Sequence, residues 1–386
     1  MTPEDVLPED LLLRIRGRAA AYDRDNAFFQ EDLEELTAAG YLKLFVPVSD
    51  GGLGLGLEAS AQCQRRLATA APATALAINM HLVWTGVAHV LSARADSSLD
   101  FVLEEAARGE IFAFGNSEAG NDSGLFDSRT AASPLPGGGY SFSGTKIFTS
   151  LSPAWTRLGI FGKDPAARAG DGELIHGFLA REAPGYTILD DWNTLGMRAS
   201  QSNSTVLDGA RVPAERIFRK LPVGPNSDPL IFAIFACFES LLAAVYTGLG
   251  ERALELGVDS VKRRTSFKNG GRSYAQDPDI RWKVAEAAMA MDSLYPQLTS
   301  VTRDVDALVD HGSQWFPLFV GLKVSATATA RRVVDLAIRV SGGSSYFQDS
   351  ELERLYRDVL AGIFHPSTDE SAHNTVASAW LGPLES

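Results

Sequence analysis

The stretch Asp191-Trp-Asn-Thr-Leu-Gly-Met-Arg-Ala-Ser-Gln-Ser-Asn-Ser-Thr-Val-Leu-Asp-Gly-Ala-Arg-Val-Pro213 decides the fold, because it joins a polar turn to an alternating strand in a chain that is otherwise helical. Leu195-Gly196-Met197 predicts the turn. Thr205 to Val212 has the period of two that is typical of a half-buried strand, and Pro213 ends it because proline cannot donate to a sheet ladder. The stretch therefore predicts a β module among helices.

The spacing of apolar residues divides the chain into three domains. Residues 1–110 show mostly spacings of three and four, which predict a helical domain. Residues 111–222 consist of short alternating runs separated by turns, which predict a β domain. Residues 223–386 return to helical patterns, so the order is α, β, α. We predict the helices of this last domain over about 231–265, 278–311, 315–340, 350–361 and 368–381.

Composition limits the classes of partner. The net charge of -13 would repel nucleic-acid phosphates and anionic lipids, so we expect neither nucleic acid nor a membrane as a partner.

Cys63 and Cys237 lie in apolar helical surroundings, which predicts unpaired thiols in a reducing compartment and no metal site. The acidic, proline-containing N-terminus is unlike a secretory signal, and we expect a cytoplasmic protein. The apolar run Leu230 to Leu249 carries Glu239 in its middle, which favours a core helix over a membrane span.

Several motifs, in order along nearly the whole chain, resemble the acyl-CoA dehydrogenase family. They are Phe112-Ala-Phe-Gly-Asn-Ser-Glu-Ala-Gly-Asn-Asp122, Gly144-Thr-Lys-Ile-Phe-Thr-Ser150, Arg264-Thr-Ser-Phe267, Val340-Ser-Gly-Gly-Ser-Ser-Tyr346 and Glu353-Arg-Leu-Tyr-Arg-Asp358. The resemblance implies an α+β fold with an N-terminal helical domain, a middle β-barrel domain and a C-terminal four-helix-bundle domain. It also implies FAD between barrel and bundle, and a homotetramer.

The resemblance assigns residues to the FAD ring. Asn116 and Ser117 fall in the flavin loop, where the Ser117 hydroxyl and amide would hydrogen-bond the pyrimidine edge and stabilise charge on the reduced flavin. Phe148 would lie against the ring, and Ser150 would place a hydroxyl near N5. Without the resemblance, Phe148 would be read as an ordinary core residue.

Other residues are assigned to the rest of the cofactor. Arg264 and Phe267 resemble residues that reach the FAD diphosphate of a neighbouring subunit, and an arginine suits this because its planar fork binds two phosphate oxygens. The alternative is a solvated basic helix end. Gly342 and Gly343 would let the backbone approach the adenosine diphosphate closely. Arg339, where the family often has glutamine, fits a pyrophosphate contact.

Acyl-thioester oxidation needs a buried carboxylate that removes the α-proton. The family's usual glutamate position, nine residues after Arg357, is occupied by Pro366. Two extra loop residues would bring Asp369 or Glu370 toward the site. Alternatively, Ser367 or Asp369 caps the last helix and Glu370 lies in its first turn.

Glu239 is our first choice for the base. A carboxylate in an apolar helix should have a raised pKa unless it is paired. The alternative for Glu239 is a structural ion pair with a basic residue from another helix.

Three aromatic residues are candidates for the substrate pocket. His81 and Trp84 share one face of a helix that resembles the family's pocket wall, although a pair with this spacing on an apolar helix also fits the core. His365 would hydrogen-bond flavin or substrate, or be an ordinary satisfied histidine.

The resemblance implies an FAD-dependent dehydrogenase that introduces an α,β double bond into an acyl-CoA or acyl-carrier-protein thioester. Its electrons would pass to an electron-transfer flavoprotein or to O2. An alternative on the same scaffold is a flavin-dependent monooxygenase, in which reduced flavin activates O2 and no α-proton base is needed. A third reading is a non-catalytic relative that serves as a binding subunit.

Overall fold

The computed structural model describes residues 1–168 and 171–384. The N-terminal part is helical, with α5 at its centre, buried on all sides between the other helices and the sheet. Its helices are α1 (Pro3–Val6), α2 (Glu9–Asp25), α3 (Gln30–Ala38), α4 (Leu57–Ala68), α5 (Pro72–Ser92) and α6 (Asp100–Ala107).

The middle part is one eight-stranded sheet in the order β6-β7-β3-β2-β4-β5-β8, with β1 paired parallel to β4. Its strands are β1 (Phe112–Gly115), β2 (Ala131–Pro134), β3 (Tyr140–Lys146), β4 (Arg157–Asp164), β5 (Glu173–Ala180), β6 (Tyr186–Ile188), β7 (Thr205–Val212) and β8 (Ile217–Pro222). The strand that the sequence predicted from Thr205 to Val212 is β7, and it pairs antiparallel with β3.

The C-terminal part is helical again and also contains the two-residue strands β9 (Thr265–Ser266) and β10 (Arg272–Ser273). Its helices are α7 (Pro229–Arg263), α8 (Pro278–Asp306), α9 (Trp315–Ser341), α10 (Glu351–Val359) and α11 (Asp369–Leu381). Asp228 caps α7 by accepting the Leu230 amide at 2.8 Å, and Asp277 caps α8 in the same way. The predicted α+β fold with helical, sheet and helical domains is confirmed.

The turn at Leu195-Gly196-Met197 fastens the sheet to the C-terminal helices. A Cβ atom on Gly196 would lie 2.4 Å from the Arg357 carbonyl carbon, so only glycine permits this approach. The Asp358 carboxylate accepts the Met197 amide at 2.5 Å. Arg357 donates to the Leu195 carbonyl at 2.9 Å and pairs with Asp23 of α2 at 2.6 Å. The Arg-Asp pair of the motif at 353–358 therefore clamps all three parts of the molecule together.

His81 and Trp84 lie in the core and line neither of the cavities described below. Both are at most 1% exposed. The His81 ring contacts the Leu42 carbonyl at 2.7 Å and accepts the Phe112 amide at 3.1 Å, and the Trp84 indole donates to the Ala113 carbonyl at 3.0 Å. The two side chains bind α5 to β1, so the structure places them in the packing between the helices and the sheet rather than in a substrate pocket.

Two helices, Pro72–Ser92 and Pro229–Arg263, are long and apolar enough to span a membrane by length and composition. Their apolar windows are 94% and 83% buried inside the protein, which is the state of core helices. The expectation that the run around Glu239 is a core helix agrees with this packing.

Candidate active site

Two adjoining cavities lie where the sheet meets the C-terminal helices. The first, which we call the cleft, has a volume of about 260 Å³ and is lined by the sheet, the 192–197 turn, α7 and the loop after α10. The second, which we call the side cavity, has a volume of about 610 Å³ and is lined by the loop after β1, α7 and the start of α11. Four residues line both: Phe114, Ser117, Phe238 and Pro366.

Aromatic side chains form one wall of the cleft. Phe148 follows β3 with a φ of 56° and is 53% exposed, although it is a large apolar residue. The Trp192 ring meets it edge-on, with the ring centroids 6.1 Å apart. An exposed phenylalanine held in the left-handed region is costly unless something covers it. The pair therefore indicates a flat apolar ligand in the cleft.

A chain of hydroxyl groups lies at one edge of the cleft. The Ser150 and Ser202 hydroxyls are 2.7 Å apart, and Ser202 is 2.7 Å from the Ser200 hydroxyl. Ser117 lines the cleft as well, and its carbonyl accepts the Ile147 amide at 2.9 Å, which joins the flavin loop to the end of β3. Ser117, Phe148 and Ser150, which the sequence predicted as contacts of the flavin ring, thus line the same cleft. Trp192 and Ser202 also line it, and the sequence did not predict them.

Glu239 lies at the side cavity on α7 and is 2% exposed. Its Oε1 accepts the Ser367 hydroxyl at 2.9 Å and the Ser367 amide at 3.1 Å, whereas Oε2 has no hydrogen-bond partner in the described residues. Burial raises the pKa of Glu239 to about 7, against the opposing effects of Ser367 and Lys323. No ion pair to Glu239 forms within the described chain, so the structural alternative that the sequence left open is not what is observed.

Lys323 of α9 holds the loop that supports Glu239. Its side chain is fully buried, and its ammonium donates to the carbonyls of Gly362 at 3.1 Å, His365 at 2.9 Å and Ser367 at 2.7 Å. Burial lowers the pKa of Lys323, and Glu239 and Asp369 oppose that change. Ser367 therefore connects the two buried ionisable groups, because it donates to Glu239 and accepts from Lys323.

Glu370 also lines the side cavity, at the exposed start of α11. Backbone hydrogen bonding at the helix start and the Thr368 hydroxyl lower the pKa of Glu370, so it is ionised at neutral pH. The helix cap is Thr368, whose hydroxyl accepts the Ser371 amide at 3.4 Å, and not Ser367 or Asp369 as the sequence suggested. Ser367 is instead turned toward Glu239.

Asn116 lines the side cavity and is absent from the lining of the cleft, which differs from the flavin contact expected from its motif. It is 6% exposed, and neither its amide nitrogen nor its amide oxygen has a hydrogen-bond partner in the described residues. A buried amide with both groups unpaired is uncommon in folded proteins.

His365 lines the cleft, and its Nε2 lies 2.9 Å from the Tyr246 hydroxyl. Burial and the nearby Lys323 lower the pKa of His365 to about 3, so the ring is neutral at physiological pH. It can exchange a hydrogen bond with a ligand but carries no charge.

The remaining predicted cofactor residues form a separate surface, which we call the arginine–glycine patch: Arg264, Phe267, Arg339, Gly342 and Gly343. Arg264 donates to the Ser341 carbonyl and approaches Gly342, which has a φ of 69°. Phe267 is fully exposed, and Arg339 pairs with Asp335 at 2.7 Å. Arg264 follows Leu242, which lines the cleft, by 22 residues along α7, a span of about 33 Å.

The cleft fits the isoalloxazine ring of a flavin. Its apolar and aromatic walls match the faces of a planar ring, and its serine hydroxyls match the polar edges. No group of three or more His, Cys, Asp or Glu side chains suited to a metal ion occurs within residues 1–168 and 171–384.

Comparison with known families gives a consistent match at both ends of the chain. The model of the acyl-CoA dehydrogenase N-terminal domain matches residues 13–110. The model of the acyl-CoA dehydrogenase C-terminal domain matches residues 240–370.

Individual relatives include a nitrososynthase, a monooxygenase and a protein solved with bound FMN. The amino sugar nitrososynthase RubN8 of Streptomyces rubradiris is 30% identical over 368 residues, which cover 92% of this chain and 83% of RubN8. The dibenzothiophene monooxygenase of Rhodococcus qingshengii is 24% identical and covers 94% of this chain and 91% of its own. The X-ray structure of KijD3 in complex with FMN and dTDP-3-amino-2,3,6-trideoxy-4-keto-3-methyl-D-glucose superposes with a TM-score of 0.87 and 26% identity, covering 99% of this chain and 94% of KijD3.

Proposed function

The chain belongs to the acyl-CoA dehydrogenase family of flavin-dependent enzymes, and from that premise we propose that it is a flavin-dependent monooxygenase. In this reaction one atom of O2 enters the substrate, and the other leaves as water. A separate reductase supplies the two electrons as reduced flavin. The similarity to nitrososynthases and to a dibenzothiophene monooxygenase supports oxygenation chemistry on this scaffold.

The observation that carries the proposal is the lining of the cleft. Among the described residues, no aspartate or glutamate lines it, and Pro366 occupies the position where a thioester dehydrogenase would present its loop glutamate. Removal of an α-proton beside the flavin needs a base within hydrogen-bonding reach of the substrate. Oxygen activation by reduced flavin needs a dry, apolar cleft instead, and this cleft is predominantly apolar.

The residues of the chain have distinct tasks in this scheme. A bound flavin supplies the redox chemistry, and the protein supplies orientation and electrostatics. Phe148 and Trp192 would hold the flavin ring in the cleft. Ser117 and Ser150 would donate hydrogen bonds to the polar edge of the ring, and such bonds stabilise the negative charge of a reduced flavin. Phe238 and Pro366 line both cavities, where the ring in the cleft would adjoin a substrate in the side cavity.

A second candidate is dehydrogenation of an acyl thioester, with Glu239 as the base. The specific observation that favours it is the pKa of about 7 to which burial raises this carboxyl, which suits proton abstraction near neutral pH. Electrons would then pass to an electron-transfer flavoprotein or to O2. In this alternative Glu239 acts from α7 and reaches the cleft from the neighbouring cavity.

We propose FAD as the cofactor and a homotetramer as the assembly. Leu242 at the cleft and Arg264 in the arginine–glycine patch are separated by about 33 Å along α7, which is about the diameter of a small domain. A dinucleotide in the cleft of one chain would therefore meet the patch of another copy. The exposed Phe267 of the patch and the exposed Tyr346 and Phe347, which follow its glycines in sequence, support a contact with a second chain.

An anaerobic titration of the flavin-loaded protein separates the two reactions. Short, branched and aromatic acyl-CoA thioesters are added without O2 while the visible absorbance of the flavin is followed. A monooxygenase keeps its oxidised spectrum with every thioester, and NADH with a flavin reductase reduces it. Bleaching by any acyl-CoA, lost in Glu239→Gln, would overturn the proposal and establish the dehydrogenase.

A further inference from the structure

The side cavity contains three buried polar atoms that no protein group satisfies. They are the amide nitrogen and oxygen of Asn116 and Oε2 of Glu239, and the two side chains are 6% and 2% exposed. Each unsatisfied buried group costs roughly 1–3 kcal/mol, so native proteins rarely keep one without a use. Two such side chains on one cavity indicate a ligand that hydrogen-bonds to both.

The charge of the cavity is of one sign. Asp122, Glu239 and Glu370 line it, and no lysine, arginine or histidine does so among the described residues. The Lys323 ammonium donates to three loop carbonyls, so it has no hydrogen left for a ligand, although its charge acts on Glu239. The acidic lining of the cavity favours a cation over a phosphate or a carboxylate.

The remaining walls of the cavity are apolar. Leu125, Phe126, Ile234, Phe235 and Phe238 line it, and Phe238 also faces the cleft. A ligand that fits has a compact apolar or ring-shaped body and carries polar groups for Asn116 and Glu239.

We propose that the side cavity binds a primary amine in its protonated form, with the ammonium group donating to Glu239 Oε2 and to the Asn116 amide oxygen. The Asn116 amide nitrogen then donates to a hydroxyl or ether oxygen on the neighbouring carbon of the substrate. Asn116 is thus a specificity-determining residue rather than a flavin contact. The proposal deepens the proposed monooxygenase function and rests on it, because the side cavity adjoins the cleft that would hold the flavin.

The test uses three probes with one ring and different polar groups: cyclohexylamine, cyclohexanol and cyclohexanecarboxylate. Calorimetry measures their binding to the flavin-loaded protein at pH 8.5, where Glu239 is ionised and the amine is protonated. We expect the amine to bind at least about tenfold more tightly than the alcohol, since hydrogen bonds between charged groups are roughly twice as strong as neutral ones. We expect no measurable binding of the carboxylate.

A fourth probe, trans-2-aminocyclohexanol, isolates Asn116. In the unaltered protein it should bind several-fold more tightly than cyclohexylamine, because its hydroxyl accepts from the Asn116 amide nitrogen. Asn116→Leu, which keeps the side-chain shape, should remove that gain. Glu239→Gln should abolish the preference for amine over alcohol and keep the hydroxyl gain. Glu104→Gln, on the exposed face of α6, is the control. It should change neither the preference for amine over alcohol nor the gain in affinity from the hydroxyl group.

The inference is overturned if the amine binds no more tightly than the alcohol, or if Glu239→Gln leaves the preference intact. Binding is measured without turnover, so the result is independent of the proposed reaction. Amine binding without oxygenation would leave the inference standing and overturn the monooxygenase function. Oxygenation of neutral compounds without any preference for amine binding would support the monooxygenase function and overturn the inference.

Discussion

At the scale of single residues, the two buried ionisable groups at the junction of α7, α9 and the 362–367 loop decide the chemistry. Glu239 was visible in the sequence because a carboxylate interrupts an apolar run. Lys323 and Ser367 were not, because their importance depends on carbonyl groups and a carboxylate that are brought together only by folding. Local sequence patterns carry no information about such long-range partners.

The raised pKa of Glu239 makes stability depend on pH. The usual pKa of a glutamate is 4.5, and in the folded protein the pKa of Glu239 is about 7, so the unfolded chain releases this proton first as the pH rises. The folded protein therefore loses on the order of 3 kcal/mol of stability between about pH 4.5 and 7. Glu239→Gln removes that loss. We expect its melting temperature to exceed that of the unaltered protein at pH 8, by a margin that shrinks toward pH 5.

Thermal unfolding at several pH values checks this prediction, with Glu104→Gln as the matched substitution at an exposed glutamate. Glu104→Gln should follow the unaltered protein throughout. If the melting temperature of Glu239→Gln exceeds that of the unaltered protein by the same amount at pH 5 and pH 8, the Glu239 carboxyl does not titrate in the folded state as predicted.

Lys323→Met tests the loop support. Methionine keeps the length and apolar stem of lysine but leaves the carbonyls of Gly362, His365 and Ser367 without their donor. We expect a loss of about 3 kcal/mol in the free energy of unfolding and faster amide hydrogen exchange across 362–367. Lys43→Met is the control, because the Lys43 ammonium makes no hydrogen bond within the described residues. Unchanged exchange in the loop would show that Lys323 does not hold it.

At the scale of elements, the period of the apolar residues was sufficient to predict where strands and helices lie. It was insufficient to predict which neighbouring element a buried side chain faces. The strand from Thr205 to Val212 was predicted with the bounds that the structure shows, and α9 and α11 agree within a residue at each end. Helix α8 ends at Asp306, five residues before the predicted end at 311. Helix α5 is buried on all sides, so its spacing could not reveal which neighbour His81 and Trp84 contact.

Close packing between α5 and β4 gives an element-scale prediction. A Cβ atom on Gly159 would lie 2.4 Å from the Trp84 indole, whereas one on Gly17 of α2 would meet nothing within 4 Å. We expect Gly159→Ala to lower the free energy of unfolding by about 2 kcal/mol through overpacking. Gly17→Ala should raise it by about 0.5 kcal/mol, because alanine is the better helix former. Denaturant titration of both variants measures the difference, and equal stabilities would contradict the packing of Trp84 on β4.

At the scale of the whole molecule, the proposed FAD cofactor and the proposed assembly depend on one another, because the arginine–glycine patch lies far from the cleft along α7. If a second chain's Arg264 holds the adenosine half of FAD, Arg264→Ala should weaken FAD binding by about tenfold and leave FMN binding unchanged. Flavin fluorescence titrations measure both affinities. Lys268→Met, an exposed neighbouring lysine, is the control for general loss of positive charge. Equal weakening of FAD and FMN would contradict the cross-chain contact.

Isotopically labelled O2 shows whether an oxygen atom enters the substrate, as the proposed monooxygenase function requires. Flavin-loaded protein is reduced with NADH and a flavin reductase and is then mixed with labelled O2 and a panel of cyclic amino alcohols. Mass spectrometry measures the masses of the products. We predict a product that carries one labelled oxygen atom, with the second recovered as water. Quantitative release of labelled hydrogen peroxide with every amine, or oxygen that comes from unlabelled water, would contradict it.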